Sequence, residues 1–113
     1  MTLEDKLTKD AIDTINADHQ RIVASVISEG ITLINEMRPD QPPLDPDKDH
    51  VFLGDQAVVE SMGLVTYLNA VEGLLNSKHR IGMDVISEKA MSMRTSPFLS
   101  TSTLRKYLLQ ELS

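Results

Sequence analysis

The chain has 113 residues and no cysteine, which excludes disulfides, thiolate metal sites and thiol catalysis. Its net charge is −6, and this excess lies in residues 1–50, where 5 Lys/Arg stand against 11 Asp/Glu. Because a nucleic-acid site needs a basic surface to meet the phosphates, the composition argues against nucleic acid as a partner. No apolar run approaches the ~20 residues of a membrane span, and no signal-like apolar segment opens the chain. We therefore expect a soluble, cytoplasmic protein of one domain, residues 1–113.

The first predicted element is a long helix over about residues 3–36, with a start at either 3 or 8. No proline interrupts this stretch, and its apolar residues recur at helical steps of three and four. Gly30 costs about 1 kcal/mol relative to alanine in mid-helix but does not forbid the helix. The helix therefore either continues or breaks near Asp18 or Gly30. Its apolar positions are Leu3, Leu7, Ala11, Ile15, Ile22, Val23, Val26, Ile27, Ile31 and Ile34.

A long loop over residues 38–60 should follow, because four prolines between positions 39 and 46 exclude regular structure. Val51, Phe52 and Leu53 form one apolar patch within this loop, and we expect all three to insert into the core. A second helix is predicted over residues 61–76, from apolar residues at steps of four, three and four. These residues are Leu64, Leu68, Val71 and Leu75.

Two shorter helices complete the predicted fold. Ser87 is a suitable N-cap for a short helix over about residues 88–93, and Pro97 disfavours helical conformation at the residue before it. The last helix should cover about residues 102–112, with its apolar side facing the core. These elements predict an all-α fold, a small four-helix bundle. The inner face of the last helix comprises Leu104, Tyr107, Leu108 and Leu112.

Ser61 stands where the second helix should begin. A serine oxygen at a helix start can act as an N-cap, accepting a bond from an otherwise unpaired amide two or three residues on. The same hydroxyl would lie near solvent at the positive end of the helix dipole, where a phosphate diester is well tolerated. The local sequence therefore fits a cap and also fits a phosphate attachment point.

The tripeptide Glu60-Ser61-Met62 resembles the Asp-Ser-Leu signature of the acyl carrier protein family, in which the serine carries 4′-phosphopantetheine. The resemblance covers roughly residues 51–112. It implies an acyl-carrier-type bundle: a long helix 1, a long loop, helix 2, a short helix 3 and helix 4. The other similar segments are Gly63-Leu64-Val65 and Ala70-Val71-Glu72 in the second helix and Ile81-Gly82-Met83-Asp84-Val85 after it.

The resemblance implies a carrier that is not itself an enzyme. A separate phosphopantetheinyl transferase, with Mg²⁺, would attach 4′-phosphopantetheine from coenzyme A to Ser61, between Glu60 and Met62. Glu60 would orient the loop or join the transferase contact, unless it is only a solvated acid at a helix start. An acyl-activating ligase or synthase would then load an acyl or aminoacyl group as a thioester, and an acyl chain would fold near Met62 and Val65. Val65 and Glu72 are the expected partner-recognition residues.

Two differences from the family bear on function. The family usually has Gly-x-Asp-Ser-Leu, whereas this chain has Val58 at the glycine position and its nearest earlier glycine at Gly54. The family's second helix is usually acidic, whereas this stretch keeps only Glu60 and Glu72 and has Thr66 at a typical acidic position. The reduced acidity indicates a specialised biosynthetic pathway rather than general fatty-acid synthesis.

Two other functions compete with the carrier. The main alternative is a helical interaction module that keeps the carrier fold but is not phosphopantetheinylated. A small hydrolase built on Ser61 has less support, because the sequence assigns it no base.

No metal site is predicted. The run from Asp45 to Asp49 spaces its acids like a calcium loop, but His50 stands where a glycine is needed and Gln56 where a bidentate glutamate belongs. A solvated acidic loop is the better interpretation. No two of the three histidines have the i, i+4 spacing that places two imidazoles on one helix face. These histidines are His19, His50 and His79.

Overall fold

The structure is a computed structural model that describes residues 3–112, with side chains described from residue 17 onward. It contains four helices, which we number in chain order: α1 Leu3–Met37, α2 Ser61–His79, α3 Glu88–Ser92 and α4 Thr101–Leu112. Within the described range the only β-type pairing is an isolated antiparallel bridge between Val51 and Ser100. The all-α prediction is therefore confirmed for this part of the chain. α1 packs against both α2 and α4.

The first helix is continuous through Asp18 and Gly30, so the predicted break does not occur, and it ends at Met37 rather than at 36. Gly30 faces the aromatic ring of Tyr67 on α2, and an ideal Cβ at position 30 would lie 2.8 Å from Tyr67 Cε2. The missing side chain lets α1 approach α2 closely. The predicted series at Leu3, Leu7, Ala11 and Ile15 lies outside the residues with described side chains.

The second helix buries the four residues that its spacing predicted, together with Tyr67. It continues to His79, three residues beyond the predicted end at 76. Near this end, Lys78 Nζ lies 2.8 Å from Glu29 Oε1 of α1. The helix then ends at Arg80, which takes the left-handed conformation with φ 56°. The amide of Ile81 closes the end by donating to the carbonyl of Leu75 at 2.9 Å.

Only the middle residue of the predicted apolar patch in the loop reaches the core. Phe52 is buried and stacks on Tyr67 with ring centroids 4.9 Å apart, whereas Val51 and Leu53 are exposed. The prediction that all three insert is wrong because this segment is extended beside Leu99 and Ser100, which precede α4, and successive side chains of extended backbone point to opposite sides. The amide of Phe52 donates to the carbonyl of Leu99 at 2.7 Å.

The two shorter helices begin at side-chain caps. Ser87 caps α3 as predicted, its Oγ accepting from the amide of Ala90 at 3.1 Å. α3 stops at Ser92 rather than 93, because Met93 is extended. α4 begins at Thr101 rather than 102, because Ser100 takes the cap position: its Oγ accepts from the Thr103 amide at 3.3 Å, and its carbonyl accepts from the Leu104 amide at 3.0 Å.

One hydrophobic core joins all four helices and the loop residue Phe52. Leu112, predicted on the inner face of α4, is only partly buried. Among the described residues, no helix combines the length and apolar character needed to cross a bilayer. The buried hydrophobic residues of the core are Val23, Val26, Ile27, Ile31, Ile34, Phe52, Leu64, Tyr67, Leu68, Val71, Leu75, Val85, Ala90, Phe98, Leu104, Tyr107 and Leu108.

Candidate functional site at the start of α2

Ser61 is the first residue of α2 and is exposed to solvent. It is not the N-cap, so that interpretation is wrong: Glu60 holds the cap position, with φ −76° and ψ 166°, and Ser61 is already helical. The Glu60 side chain makes no capping bond either. The Ser61 hydroxyl has no hydrogen-bond partner among the residues that the structure describes. The hydroxyl is therefore accessible to a reagent from outside.

The first turn of α2 offers unpaired amides next to this hydroxyl. The bond that opens the helix runs from the Leu64 amide to the Glu60 carbonyl at 2.9 Å, so the amides of residues 61–63 precede it. The first turn contains no acidic side chain. Unpaired amides and the positive end of the helix dipole favour an anion at this position.

The segment before Ser61 is held in place from two sides. The amide of Val58 donates to the carbonyl of Val51 at 2.9 Å, which folds the end of the loop back on itself. The carbonyl of Val58 accepts from Arg38 Nη2 at 3.3 Å, which ties the same residue to the end of α1. Gly54 lies in the turn between Val51 and Val58 and has φ +90°, a conformation that residues with a side chain rarely adopt. The glycine thus serves the turn that leads back to the helix start, rather than preceding the serine directly as in the family signature.

The surface of α2 next to Ser61 is apolar. Met62 is 76% exposed and Val65 is 43% exposed, so both predicted apolar site residues face solvent. Thr66, one turn on from Met62, donates its hydroxyl to the Met62 carbonyl at 2.8 Å. Glu60 is exposed and contributes the carboxylate next to Ser61 in sequence.

Glu72 holds the segment that follows α2. Its Oε1 accepts a hydrogen bond from the amide of the buried Val85 at 2.8 Å, and its own side chain is partly buried. The sequence did not reveal this role, since the two residues are 13 positions apart and no local pattern links them. The recognition role of Glu72 stays a prediction, and the carboxylate has a structural role in the folded chain.

A groove of about 540 Å³ lies on the side of α2 that faces the end of α1. Arg38 lines it, and the guanidinium Nη1 is buried without a hydrogen-bond partner among the described residues. Sequence reasoning missed this groove, because it forms between segments about twenty residues apart. The lining residues are Met37, Arg38, Pro39, Asp40, Gln41, Ala57, Val58, Val59, Glu60 and Gly63.

The acidic run in the loop folds as a turn. The Asp45 carboxylate accepts from the amide of Asp47 at 2.9 Å, and the Asp45 carbonyl lies 2.7 Å from His50 Nε2. Over residues 17–112, where side chains are described, no group of three or more His, Cys, Asp or Glu residues has the geometry to hold a metal ion. These contacts agree with the interpretation of the run as a solvated loop.

Comparison with known proteins gives no match: no family model, no curated protein and no solved structure is similar to this chain. The resemblance to acyl carrier proteins therefore rests on the sequence around Ser61 alone.

Proposed function

We propose that the protein is an acyl carrier that bears 4′-phosphopantetheine on Ser61 and serves a specialised biosynthetic pathway. One observation carries the proposal: Ser61 lies between Glu60 and Met62, where the carrier signature has aspartate and leucine, and its exposed hydroxyl has no hydrogen-bond partner among the described residues at the first residue of α2. The protein is not an enzyme under this proposal. Its partners are a phosphopantetheinyl transferase and an acyl-activating ligase or synthase.

The order and length of the helices support an acyl-carrier type of bundle. A long α1 is followed by the loop over 38–60, then α2, the five-residue α3 and α4. The order by itself is compatible with other small helical bundles. The helix order supports a carrier only together with the position of Ser61, because a carrier needs the modified serine at the junction between the long loop and the second helix.

The attachment reaction assigns one role to this chain. In the transferase site, Ser61 Oγ attacks the β-phosphorus of coenzyme A, and the new O–P bond replaces the phosphoanhydride bond. Adenosine 3′,5′-bisphosphate leaves, and the hydroxyl proton passes to a base of the transferase. When bound, the arm supplies a terminal thiol that holds an acyl or aminoacyl group as a thioester. The chain contributes placement, because the helix start is exposed and its preceding segment is tied to Val51 and Arg38.

The residues around Ser61 fit a phosphodiester. The amides of residues 61–63 are available as donors, and no acidic side chain lies in the first turn to repel the anion. Glu60 is the nearest carboxylate in sequence and extends into solvent, where its repulsion is screened.

The experiment that tests the proposal is intact mass measurement after incubation with coenzyme A, Mg²⁺ and a broad-specificity phosphopantetheinyl transferase. The wild-type chain should gain one phosphopantetheinyl mass. Ser61→Ala should gain none, whereas Ser77→Ala should gain the same mass as wild type, since Ser77 is an exposed serine at the other end of α2. The proposal would be contradicted if Ser61→Ala gained the mass, or if the wild-type chain did not.

The second candidate is the unmodified interaction module. The observation that favours it is the altered signature, in which Glu60 and Met62 replace the family's aspartate and leucine. Failure of the wild-type chain to gain mass would favour this module. A hydrolase gains no support from the structure, because no base is hydrogen-bonded to Ser61 within the described residues.

A further inference from the structure

The groove at the end of α1, which we call the Arg38 groove, has the size of a small-molecule site. Its volume is about 540 Å³, within the range of about 300–1,000 Å³ that is usual for such sites. Its walls come from the end of α1 and from the segment that leads to α2, and the bond from Arg38 Nη2 to the Val58 carbonyl joins these two walls. The proposed carrier function makes no use of this groove, because Ser61 is not one of its lining residues.

The guanidinium of Arg38 has fewer partners than its charge requires. Its Nη2 makes one long bond, 3.3 Å to the Val58 carbonyl, and its Nη1 is buried without a hydrogen-bond partner among the described residues. No carboxylate in that part of the chain pairs with it. A buried charged donor left unpaired costs free energy, and a carboxylate that accepts from the guanidinium removes this cost. Because Nη1 has no bond to lose, the guanidinium can turn toward the groove and offer Nη1 to an acceptor there.

Two carboxylates line the same groove, those of Asp40 and Glu60. Both side chains are exposed, and neither carboxylate forms a hydrogen bond or ion pair within the described residues. One arginine against two acids gives the lining a net charge of −1, in a chain whose net charge is −6. This excess repels a simple anion, and Arg38 repels a simple cation. A ligand that carries one charge of each sign can satisfy both kinds of group.

The groove also offers apolar surface to a ligand. Met37 is 65% exposed, and Val58 and Val59 are partly buried against the core. Pro39 and Ala57 complete the apolar part of the lining. An aliphatic group placed here removes apolar surface from water on both sides of the contact. The groove therefore combines a cationic group, two anionic groups and an apolar wall.

We propose that the Arg38 groove binds a free α-amino acid with an aliphatic side chain, such as leucine. The carboxylate of the amino acid accepts hydrogen bonds from the Arg38 guanidinium, and its ammonium group lies against Asp40 or Glu60. The side chain of the ligand contacts the apolar wall. A ligand this small should bind with a Kd of about 1–10 mM. Binding in the groove does not depend on modification of Ser61.

The first experiment compares three ligands on the unmodified full chain, in the absence of coenzyme A and at constant salt. L-leucine carries both charges, 4-methylpentanoate keeps only the carboxylate, and 3-methylbutylamine keeps only the ammonium group. Amide chemical shifts of the ¹⁵N-labelled chain report the position and the Kd of each ligand. We expect L-leucine to shift the amides of Val58, Val59 and Gly63 and to bind at least about fivefold more tightly than either half-ligand.

The second experiment removes the charges of the groove in turn. Arg38→Met should weaken L-leucine binding by about tenfold, and Arg38→Lys by about threefold, because lysine keeps the charge without the paired donors. Arg94→Met is the matched control, since Arg94 is exposed and lies outside the groove, and its Kd should stay that of wild type. Circular dichroism melting establishes that each variant is folded, and the ligand comparison on the wild-type chain requires no variant.

The acidic side of the groove has its own test. In the double variant Asp40→Asn with Glu60→Gln, L-leucine should lose its advantage over 4-methylpentanoate, because no carboxylate remains to attract the ammonium group. Asp47→Asn is the control, since Asp47 is an exposed acid of the same loop that does not line the groove.

The outcomes are independent of the carrier function, which is tested by mass gain at Ser61. Selective binding of L-leucine at the groove amides, lost in Arg38→Met and kept in Arg94→Met, supports the amino-acid site. The site is excluded if either half-ligand binds as tightly as L-leucine to the wild-type chain. It is equally excluded if L-leucine shifts no groove amide, or if Arg38→Lys and a folded Arg38→Met keep the wild-type Kd.

Discussion

Asp49 in the long loop binds the start of α4, 53 residues further along the chain. Its Oδ1 accepts a hydrogen bond from the amide of Ser102 at 2.8 Å, and its Oδ2 accepts from the Ser102 hydroxyl at 3.1 Å. His50, the next residue, donates its amide to Thr101 Oγ1 at 2.9 Å. A carboxylate at a helix start satisfies an unpaired amide and interacts favourably with the dipole. The loop that leads to Ser61 is thereby fastened to the last helix.

Removal of the Asp49 carboxylate should destabilise the fold. For Asp49→Ala we expect the free energy of unfolding to fall by about 1 kcal/mol, the usual cost of losing a helix cap. Urea denaturation followed by circular dichroism measures the change. Asp47→Ala is the control. Asp47 is an exposed acid of the same loop, and it bonds to Asp45 through its backbone amide, which the substitution keeps. Equal stability of the two variants would contradict the capping role.

Two glycines in helices should respond to alanine with opposite signs. Gly30→Ala brings a methyl group against the Tyr67 ring, and we expect it to lower the free energy of unfolding by about 1–3 kcal/mol. Gly73→Ala adds a methyl group in α2 where no atom lies within 4 Å, and the better helix propensity should raise stability by about 0.5–1 kcal/mol. Urea denaturation measures the free energy of unfolding of both variants. A stabilised Gly30→Ala would show that α1 and α2 do not approach so closely.

The bond between Glu72 and Val85 should control local opening of the segment after α2. Glu72→Ala leaves a buried amide without an acceptor, which costs about 1–3 kcal/mol. Glu72→Gln keeps a neutral oxygen at the same place, so its cost should be smaller. The measurement is hydrogen exchange at the Val85 amide, which should be accelerated in the alanine variant and largely restored in the glutamine variant. Unchanged exchange in Glu72→Ala would exclude this role.

Tyr67 should make the fold sensitive to alkali. Burial raises the pKa of its hydroxyl well above the usual range, an effect that the positive charge of Arg105 partly opposes. The unfolded chain therefore loses this proton at lower pH than the folded chain, so the stability present below about pH 10 declines as the pH rises beyond it. Tyr67→Phe removes this decline. The measurement is the urea midpoint as a function of pH.

Tyr67→Phe also tests how much the buried Tyr67 hydroxyl lowers the free energy of unfolding. Tyr67 Oη has no hydrogen-bond partner among the described residues. We expect Tyr67→Phe to keep the ring packing against Phe52 and to stabilise the fold at neutral pH by about 1 kcal/mol. Tyr107→Phe is the contrasting variant, because the Tyr107 hydroxyl lies 3.0 Å from Ser87 Oγ, and its loss should destabilise.

Periodicity predicted those parts of the fold that depend on one stretch of chain. The buried face of α2 was evident from its spacing, and Ser87 was recognised as a cap because its partner lies three residues away. The end of α2 was placed too early because residues 76–79 contain no apolar residue to extend the spacing, and the actual end depends on the left-handed backbone of Arg80. From the sequence, Gly30 was expected only to lower the stability of α1. Its role in close helix packing could not be predicted, because it depends on Tyr67 of another helix.

At the candidate site, the sequence located Ser61 at the helix start but assigned the cap to the wrong residue. The choice between Glu60 and Ser61 depends on which backbone first turns helical, and a boundary of one residue is beyond the resolution of spacing arguments. The bonds of Glu72 and Asp49 link positions far apart in the chain and could not be read from it. The exposure of Met62 and Val65 follows from their place on the outer side of α2.

The missing side-chain cap on α2 gives the proposed modification a thermodynamic consequence for the carrier itself. A phosphodiester on Ser61 would present anionic oxygens to the amides at which the helix begins, and would thus supply the acceptor that neither Glu60 nor Ser61 provides. The modified chain should then melt at a higher temperature than the unmodified one, with slower hydrogen exchange in the first turn. The attached group would then act as the N-terminal cap that α2 lacks.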